Sequence, residues 1–475
     1  MPANTTNHGR PMRIAIVGGG ISGLTTAWYL QAAVMQHQIA AEIHVYEQSN
    51  RPGGKITTAT VAHEAAQFVV EAGPDSMLRS KPWAFQLAQE LGIAAQHIGT
   101  NMQQRTLYVW KHNRLHRVPS GFQLIVPTQF MPVLTSPLFG WGGKLRLLCE
   151  RFIPRRQSTD DESLYDFLTR RYGAEIRDTL GIPLMAGIYN ADAKQQSMQA
   201  TFPQYVESER QHGSIATGMK STPPATPPKS LFFTFPQGTQ YLVDTLVAQL
   251  HHVTIHTDLP IQQITRTNTH YQLHTEHLTP IDADIVVIST PAYHTAQLIN
   301  TLAPALATKL RTQTYVSTGT ISLAYRCDAL PVTLDGYGVL YANGQKRYFN
   351  AITISSQKFT QRAPTSHILI RMFFGGQSNQ ELLAMDDQHI SALATAELQK
   401  VLNITALPEF TRIFRWPFGT PQYTLNHHQW IAQCVTLTPP QLFLTGSSYG
   451  GIGIPDCIHH AQQTAQQIIR SYVKG

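Results

Sequence analysis

The stretch RIAIVGGGISGLTTAWYL, residues 13–30, constrains what this chain can fold into more than any other. A short β-branched run ends at Gly18, Gly20 and Gly23, and helical periodicity follows through Leu24, Ala27, Trp28 and Leu30. The order is strand, turn, helix. Glycine at these positions serves a tight turn, close backbone approach to a pyrophosphate, and close packing of helix on strand, with Ile21 and Ser22 opening the helix over the same group. EIHVYE then alternates Ile43 and Val45 against Tyr46 and ends on Glu47, as the next strand of a parallel β-α-β unit does. A carboxylate at that point accepts the hydroxyl hydrogens of an adenosine ribose and repels a 2′-phosphate.

DADIVVISTP supplies another buried strand, and QLFLTG a third before a final helix through His459 to Val473, so the nucleotide domain is discontinuous in sequence. A chain of 475 residues exceeds the size at which one core stops growing, so two or three domains are expected. DESLYDFLTRRYGAEIRDTL has an acidic start and Leu164, Phe167 and Leu168 at helix spacing, which makes residues 140–220 mainly helical. Four prolines within Ser221 to Ser230 favour a mobile polyproline-like loop leading into the strand LFFTFP. TGTISLAYR, GYGVLYA, RYFNAITISS and SHILIRMFF read as an antiparallel sheet and the floor of a substrate site.

At 42% hydrophobic and 14% charged residues, the composition is that of an ordinary globular protein. Lys plus Arg exceed Asp plus Glu by 36 − 29 = 7, which favours anionic partners, but no basic run marks a nucleic-acid surface. Cys149, Cys327, Cys434 and Cys457 are scattered without a CxxC, so neither a disulfide framework nor a zinc site has the required spacing. The polar start, without the apolar core of a secretory signal, leads us to expect a cytoplasmic protein. GFQLIVPTQFMPVLTSPLFGWGGKLRLL is broken by three prolines and Lys144 and cannot span a bilayer, although it can dip into a membrane surface.

Three motifs compete with the dinucleotide reading. Gly446-Ser447-Ser448-Tyr449-Gly450 fits the GxSxG nucleophile elbow, but Asp456 and His459 follow too closely to complete a triad, so Ser448 reads as a structural hydroxyl. His63-Glu64 begins like HExxH, yet Gln67 occupies the second ligand position and no metal site results. His427-His428 has no supporting acids and is expected at the surface.

EQSNRPGGKIT places Arg51, Gly53, Gly54 and Lys55 just after the ribose acid, where paired glycines aim N–H groups at phosphate oxygens and a cation adds charge-assisted contacts. This piece is similar to the second glycine pair of flavoproteins of the amine oxidase and porphyrinogen oxidase superfamily, which implies FAD. EAGPDSMLRSKP, QRTLYVW, GIPLMAGIYNADAKQQSMQATFP, TISSQKFTQRAP with LIRMFFGG, RWPFGTPQY and above all GGIGIPDCI resemble one branch of it, the bacterial porphyrinogen oxidases, across nearly the whole chain. One departure is Tyr189-Asn190-Ala191-Asp192, where the family usually carries glycine after the tyrosine. The resemblance implies an α/β fold, in which a Rossmann-like FAD-binding domain (12–60, 230–295 and 426–475) joins an antiparallel-sheet substrate domain (61–104, 196–229 and 296–425) and a mainly helical domain (105–195) that in some members meets membrane.

It further implies that Gly73, Pro74, Asp75 and Ser76, together with Ile261, Trp416, Gly446, Gly453, Ile454 and Pro455, complete the FAD site. For the substrate it points to Arg105 as carboxylate anchor, with Arg79 and Lys81 beside it, and to Gly338, Leu340 and Met372 as apolar lining. The implied reaction is six-electron oxidation of a porphyrinogen in haem biosynthesis, with O2 as acceptor and H2O2 as product and without a catalytic side-chain base. Coproporphyrinogen III is the first reading and protoporphyrinogen IX the alternative. An amine oxidase, a carotenoid desaturase and a non-catalytic flavin or porphyrin carrier are the more distant readings. Implied partners are the porphyrinogen, O2, a peripheral membrane surface and the next haem-pathway enzyme, ferrochelatase.

Overall fold

A computed structural model describes residues 10–473 except 65, 105, 128, 222–229, 277, 330–334, 345–346 and 378. The proline loop expected over 221–230 therefore lies almost wholly outside the described residues.

The strand Met12–Val17 is the centre of a five-stranded sheet and pairs in parallel with Ala41–Tyr46 on one side and Ile285–Ile288 on the other. Val253–His256 and Leu442–Leu444 form its edges, also in parallel. Because a parallel sheet is covered on both faces, its central strands are largely apolar and alternate residues enter different cores. Ile14 and Ile16 pack against the first helix (Ile21–Gln36) and the last (Ile454–Val473), whereas Ala15 and Val17 pack against the helices Ala292–Leu298 and Pro304–Arg311. The edge strand 253–256 went unforeseen, because VTIH is too short and polar to show a period.

The second sheet has seven strands, in the order Phe410–Pro421, Tyr315–Arg326, His367–Gly375, Ala351–Ile354, Gly336–Tyr341, Thr106–Lys111 and Arg114–Arg117. It is antiparallel, as expected, except where 336–341 runs parallel to 106–111. Residues 106–117, which the sequence groups with the helical segment, thus belong to this sheet. One face packs on the helix Asp387–Leu402 through Ile321, Ile370, Met372 and Phe374. The other meets the hairpin Thr58–His63/Ala66–Glu71 and the helical body.

That body is built around Leu164–Ile176, which starts where the Ser163 hydroxyl accepts the Asp166 N–H at 3.0 Å. A π-helical stretch, Arg177–Ala186, continues it past Pro183. Arg171, wholly buried, pairs there with Glu150 and Glu209, and Arg170 bridges Glu162 and Glu209. After Tyr189 the chain turns on Asn190 at φ 50°, ψ 35°, a left-handed conformation that glycine adopts freely and asparagine tolerates, so the departure noted in the sequence keeps a sharp turn. Among the described residues, no helix is long and apolar enough to cross a membrane.

Candidate active site

The first helix begins at Ile21 with no side-chain cap and no acidic residue in its first turn, so its leading N–H groups and positive dipole end suit an anion. Gly18 has φ +105°, and a Cβ on Gly23 would lie 2.0 Å from the Gly18 carbonyl oxygen, so helix and strand meet at a distance only glycine permits. Gly20 faces open space instead, with nothing within 4 Å of a Cβ built on it. Glu47 closes the turn: its carboxylate accepts from Gly19 N at 2.7 Å and Ser49 N at 2.8 Å. Each carboxylate oxygen has more than one acceptor site, so a ribose hydroxyl can still donate there.

Gly53 meets the first turn directly, its N–H donating to Gly19 O at 2.7 Å. The Arg51 guanidinium donates to the carbonyls of Pro52 and Gly54 and so braces its own loop. Lys55 reaches the carbonyl of Gly419, and burial pushes its ammonium below the usual lysine range. Ile261 is buried near Tyr46.

The 71–76 turn passes between the two sheets. A Cβ on Gly73 would lie 2.1 Å from Lys55 O. Trp416 Nε1 donates to Ala72 O at 2.8 Å and Arg371 to Gly73 O at 2.5 Å. Asp75 pairs with Lys358 at 2.8 Å and accepts from the Ser76 hydroxyl, and Glu71 pairs with Arg362 at 3.4 Å. Burial alone would raise the Asp75 carboxyl, but Lys358 and Arg371 overcome it and hold the group below the usual carboxylate range.

The carboxyl-terminal stretch returns to the first turn. A Cβ on Gly446 would lie 3.9 Å from Ser22 Oγ, so residues 18–23 and 446–456, far apart in sequence, adjoin in space. The last helix starts at Ile454, after Gly453 and with Pro455 in its first turn, and Tyr423 fixes the loop before it by donating to Ser447 O at 2.6 Å and accepting from Gly451 N at 2.7 Å. Ser448 is buried with its hydroxyl 2.6 Å from Tyr315 Oη, and no acid or histidine lies in hydrogen-bonding contact with it among the described residues. His427 is not at the surface: it is 3% exposed and stacked 3.8 Å from Tyr423, because the loop after 421 folds the imidazole under the flanking rings.

The proposed substrate residues divide. Arg105 lies outside the described residues. Gly338 and Leu340 share a sheet face toward the helical body, with Leu340 in its core. Met372 points the other way, wholly buried with Ile321 and Ile352 beneath the sheet, because side chains alternate along a strand, so it cannot line the same space as Leu340. Arg79 stacks 3.2 Å over the Phe85 ring with its Nη1 buried and without a hydrogen-bond partner, and Lys81 lies 2.6 Å from Asp456, which already pairs with it.

The model of the family described as flavin containing amine oxidoreductase matches residues 21–469. The chain belongs to this family. As a flavin amine oxidoreductase its cofactor is FAD, and the fold is that of the family's solved members. It is 30% identical over 455 residues to the coproporphyrinogen III oxidase of Bacillus subtilis, covering 94% of this chain and 95% of that protein. It is 23% identical over 501 residues to protoporphyrinogen oxidase 2 of Arabidopsis thaliana, covering 98% and 94%. Among solved structures, an Exiguobacterium sp. 255-15 protein provisionally named protoporphyrinogen oxidase superposes with a TM-score of 0.84 at 28% identity, covering 97% of this chain and 99% of that one. Wild-type putrescine oxidase, at 16% identity and a TM-score of 0.70, shares the fold.

The residues present fit FAD. The uncapped helix, the open side of Gly20 and the adjoining Gly53 and Gly446 form a cradle that side chains would fill, and the buried Nε of Arg371 has no partner. No motif of their own singles out Lys358, Arg362 and Arg371, although an arginine inside the apolar run HILIRMFFG is a readable signal, since arginine is rarely buried without a function or a partner.

Proposed function

We propose that this flavin amine oxidoreductase carries out the six-electron oxidation of a porphyrinogen to a porphyrin in haem biosynthesis, with coproporphyrinogen III as substrate, O2 as acceptor and H2O2 as product. The observation that carries the reading is the near full-length similarity to coproporphyrinogen III oxidases, 30% identical over 94% of the chain for one of them. FAD, when bound, supplies the two-electron acceptance that each of three rounds needs. The protein's part is position and electrostatics. In this reading residues 12–60, 230–295 and 426–475 hold the cofactor, residues 61–104, 196–229 and 296–425 the substrate, and 105–195, apart from the sheet strands 106–111 and 114–117, the helical wall.

The proposed roles divide along the chain. Gly18, Gly20, Ile21, Ser22 and Gly23 take the diphosphate, Glu47 the ribose, and Gly53 and Gly54 the second side of the same group. The 73–76 turn, Trp416 and the start of the last helix flank the reactive ring, where a helix amino terminus favours negative charge. Gly338 and Leu340 give an apolar wall, and Arg105 anchors a propionate. The carboxylates nearest the turn, Glu71 and Asp75, are both locked in ion pairs, which accords with a reaction that demands no side-chain base. Incubating the purified protein with each porphyrinogen and following porphyrin fluorescence tests the assignment. A faster rate on protoporphyrinogen IX reverses the substrate preference.

Peripheral membrane contact is favoured by one surface. Phe130, Met131, Trp141, Leu145 and Phe152 are 41% to 76% exposed within one short stretch, beside the exposed Arg151 and Arg155. Exposed apolar side chains with cations close by in sequence suit an anionic bilayer. Co-sedimentation with phosphatidylglycerol vesicles, reduced by Trp141→Ser with Leu145→Ser and weak with phosphatidylcholine, is the expected result; equal behaviour of variant and parent refutes it. A pull-down with ferrochelatase tests the remaining partner.

A further inference from the structure

We propose that Arg371 raises the reduction potential of the bound flavin through a buried excess of positive charge around the 71–76 turn. The proposal rests on the reading that this turn flanks the reactive ring. Five ionisable side chains converge there from three segments: Glu71 and Asp75 from the turn, Lys358 and Arg362 from the loop after the 351–354 strand, and Arg371 from the centre of the large sheet. The guanidinium of Arg371, 2% exposed, donates to Gly73 O at 2.5 Å.

Three cations face two carboxylates, a formal excess of one. Lys81 and Asp456, the next ionic pair along the site, cancel each other at 2.6 Å. A packing role would be met by an apolar residue, as at Leu369, two positions away on the same sheet face. Burying a guanidinium with one nitrogen unpartnered instead carries a desolvation cost, which positive potential at a site that gains negative charge would explain.

The sign of the effect separates charge from scaffold. Removing the cation should lower the potential and removing the anion should raise it, whereas a loosened turn would move both variants the same way. The full-length protein loaded with FAD is titrated anaerobically against a redox dye, and the ratio of reduced to oxidised protein is read by absorbance. Arg371→Met is expected to cut that ratio about tenfold at fixed ambient potential, about 30 mV for a two-electron couple. Arg371→Lys should stay near the parent, and Asp75→Asn should raise the ratio. Should Arg371→Met not fold, Lys358→Met removes a cation from the same cluster and is expected to shift the ratio downward.

An unmoved potential in the cation variants, a shift of Asp75→Asn in the same direction as theirs, or an Arg371→Lys that falls as far as Arg371→Met overturns the proposal. FAD content is measured in every variant. A protein that binds FAD and shows these shifts without oxidising any porphyrinogen would overturn the substrate reading and uphold this one.

Discussion

Gly20 and Gly23 lie three residues apart in the same turn, yet the structure gives them opposite tasks. A methyl at Gly23 would sit 2.0 Å from Gly18 O and 2.7 Å from Ser289 Oγ, both fixed by the strand pairing beneath, so the first helix must back away. Overpacking of that kind costs about 1–3 kcal/mol, and Gly23→Ala should therefore lower the melting temperature of the FAD-free protein. At Gly20 the backbone is extended, with φ −73° and ψ 176°, and nothing stands within 4 Å of the new methyl. Gly20→Ala should then leave FAD-free stability unchanged or raise it by roughly 0.4–1 kcal/mol through a stiffer unfolded chain. Its methyl occupies the cradle, so FAD affinity should fall at least tenfold, or ~1.4 kcal/mol. Thermal unfolding without FAD, and titration of the FAD-free protein by quenching of FAD fluorescence, separate the two effects. A Gly20→Ala protein that binds FAD as tightly as its parent would refute the placement of the diphosphate over this turn.

Ser448→Ala should keep turnover and lose only the hydrogen bond to Tyr315, about 0.5–1.5 kcal/mol; loss of activity in a folded variant would restore the nucleophile reading. Glu150→Gln leaves the buried Arg171 with Glu209, shared with Arg170, as its remaining carboxylate and should cost about 1–3 kcal/mol, seen as a drop in melting temperature. Burial pushes His427 and His460 down to about 4. Their contribution to stability is therefore present above the ordinary histidine value of 6.5 and is lost as pH falls toward 4, so His427→Gln should flatten that part of the stability profile. Arg105→Ala should raise KM for the porphyrinogen with FAD content intact, and unchanged kinetics would remove the anchor.

The nucleotide half of the fold was legible because its signals are local: a strand period, three glycines at fixed spacing and an acid at the next strand end. GGIGIPDCI was legible through resemblance, and its approach to the first turn follows from where the last strand joins the sheet. The misreadings concern side-chain direction and pairing, which depend on partners distant in sequence. Met372 looked like a wall residue until the register with Ile321 and Ile352 fixed its face. Lys81 looked free because Asp456, which engages it, is 375 residues away. His427 looked exposed because nothing in HHQW announces that Tyr423 and Trp430 enclose it.

FAD held between the 18–23 and 446–456 turns is proposed to oxidise a porphyrinogen. The most direct test is to mix the FAD-loaded protein with coproporphyrinogen III and follow coproporphyrin III, O2 and H2O2 together. Six electrons at two per O2 predict three O2 consumed and three H2O2 formed per porphyrin, and bleaching of the flavin without O2. A flavin that stays oxidised with both porphyrinogens, yet bleaches with an amine or a polyene, would contradict the claim.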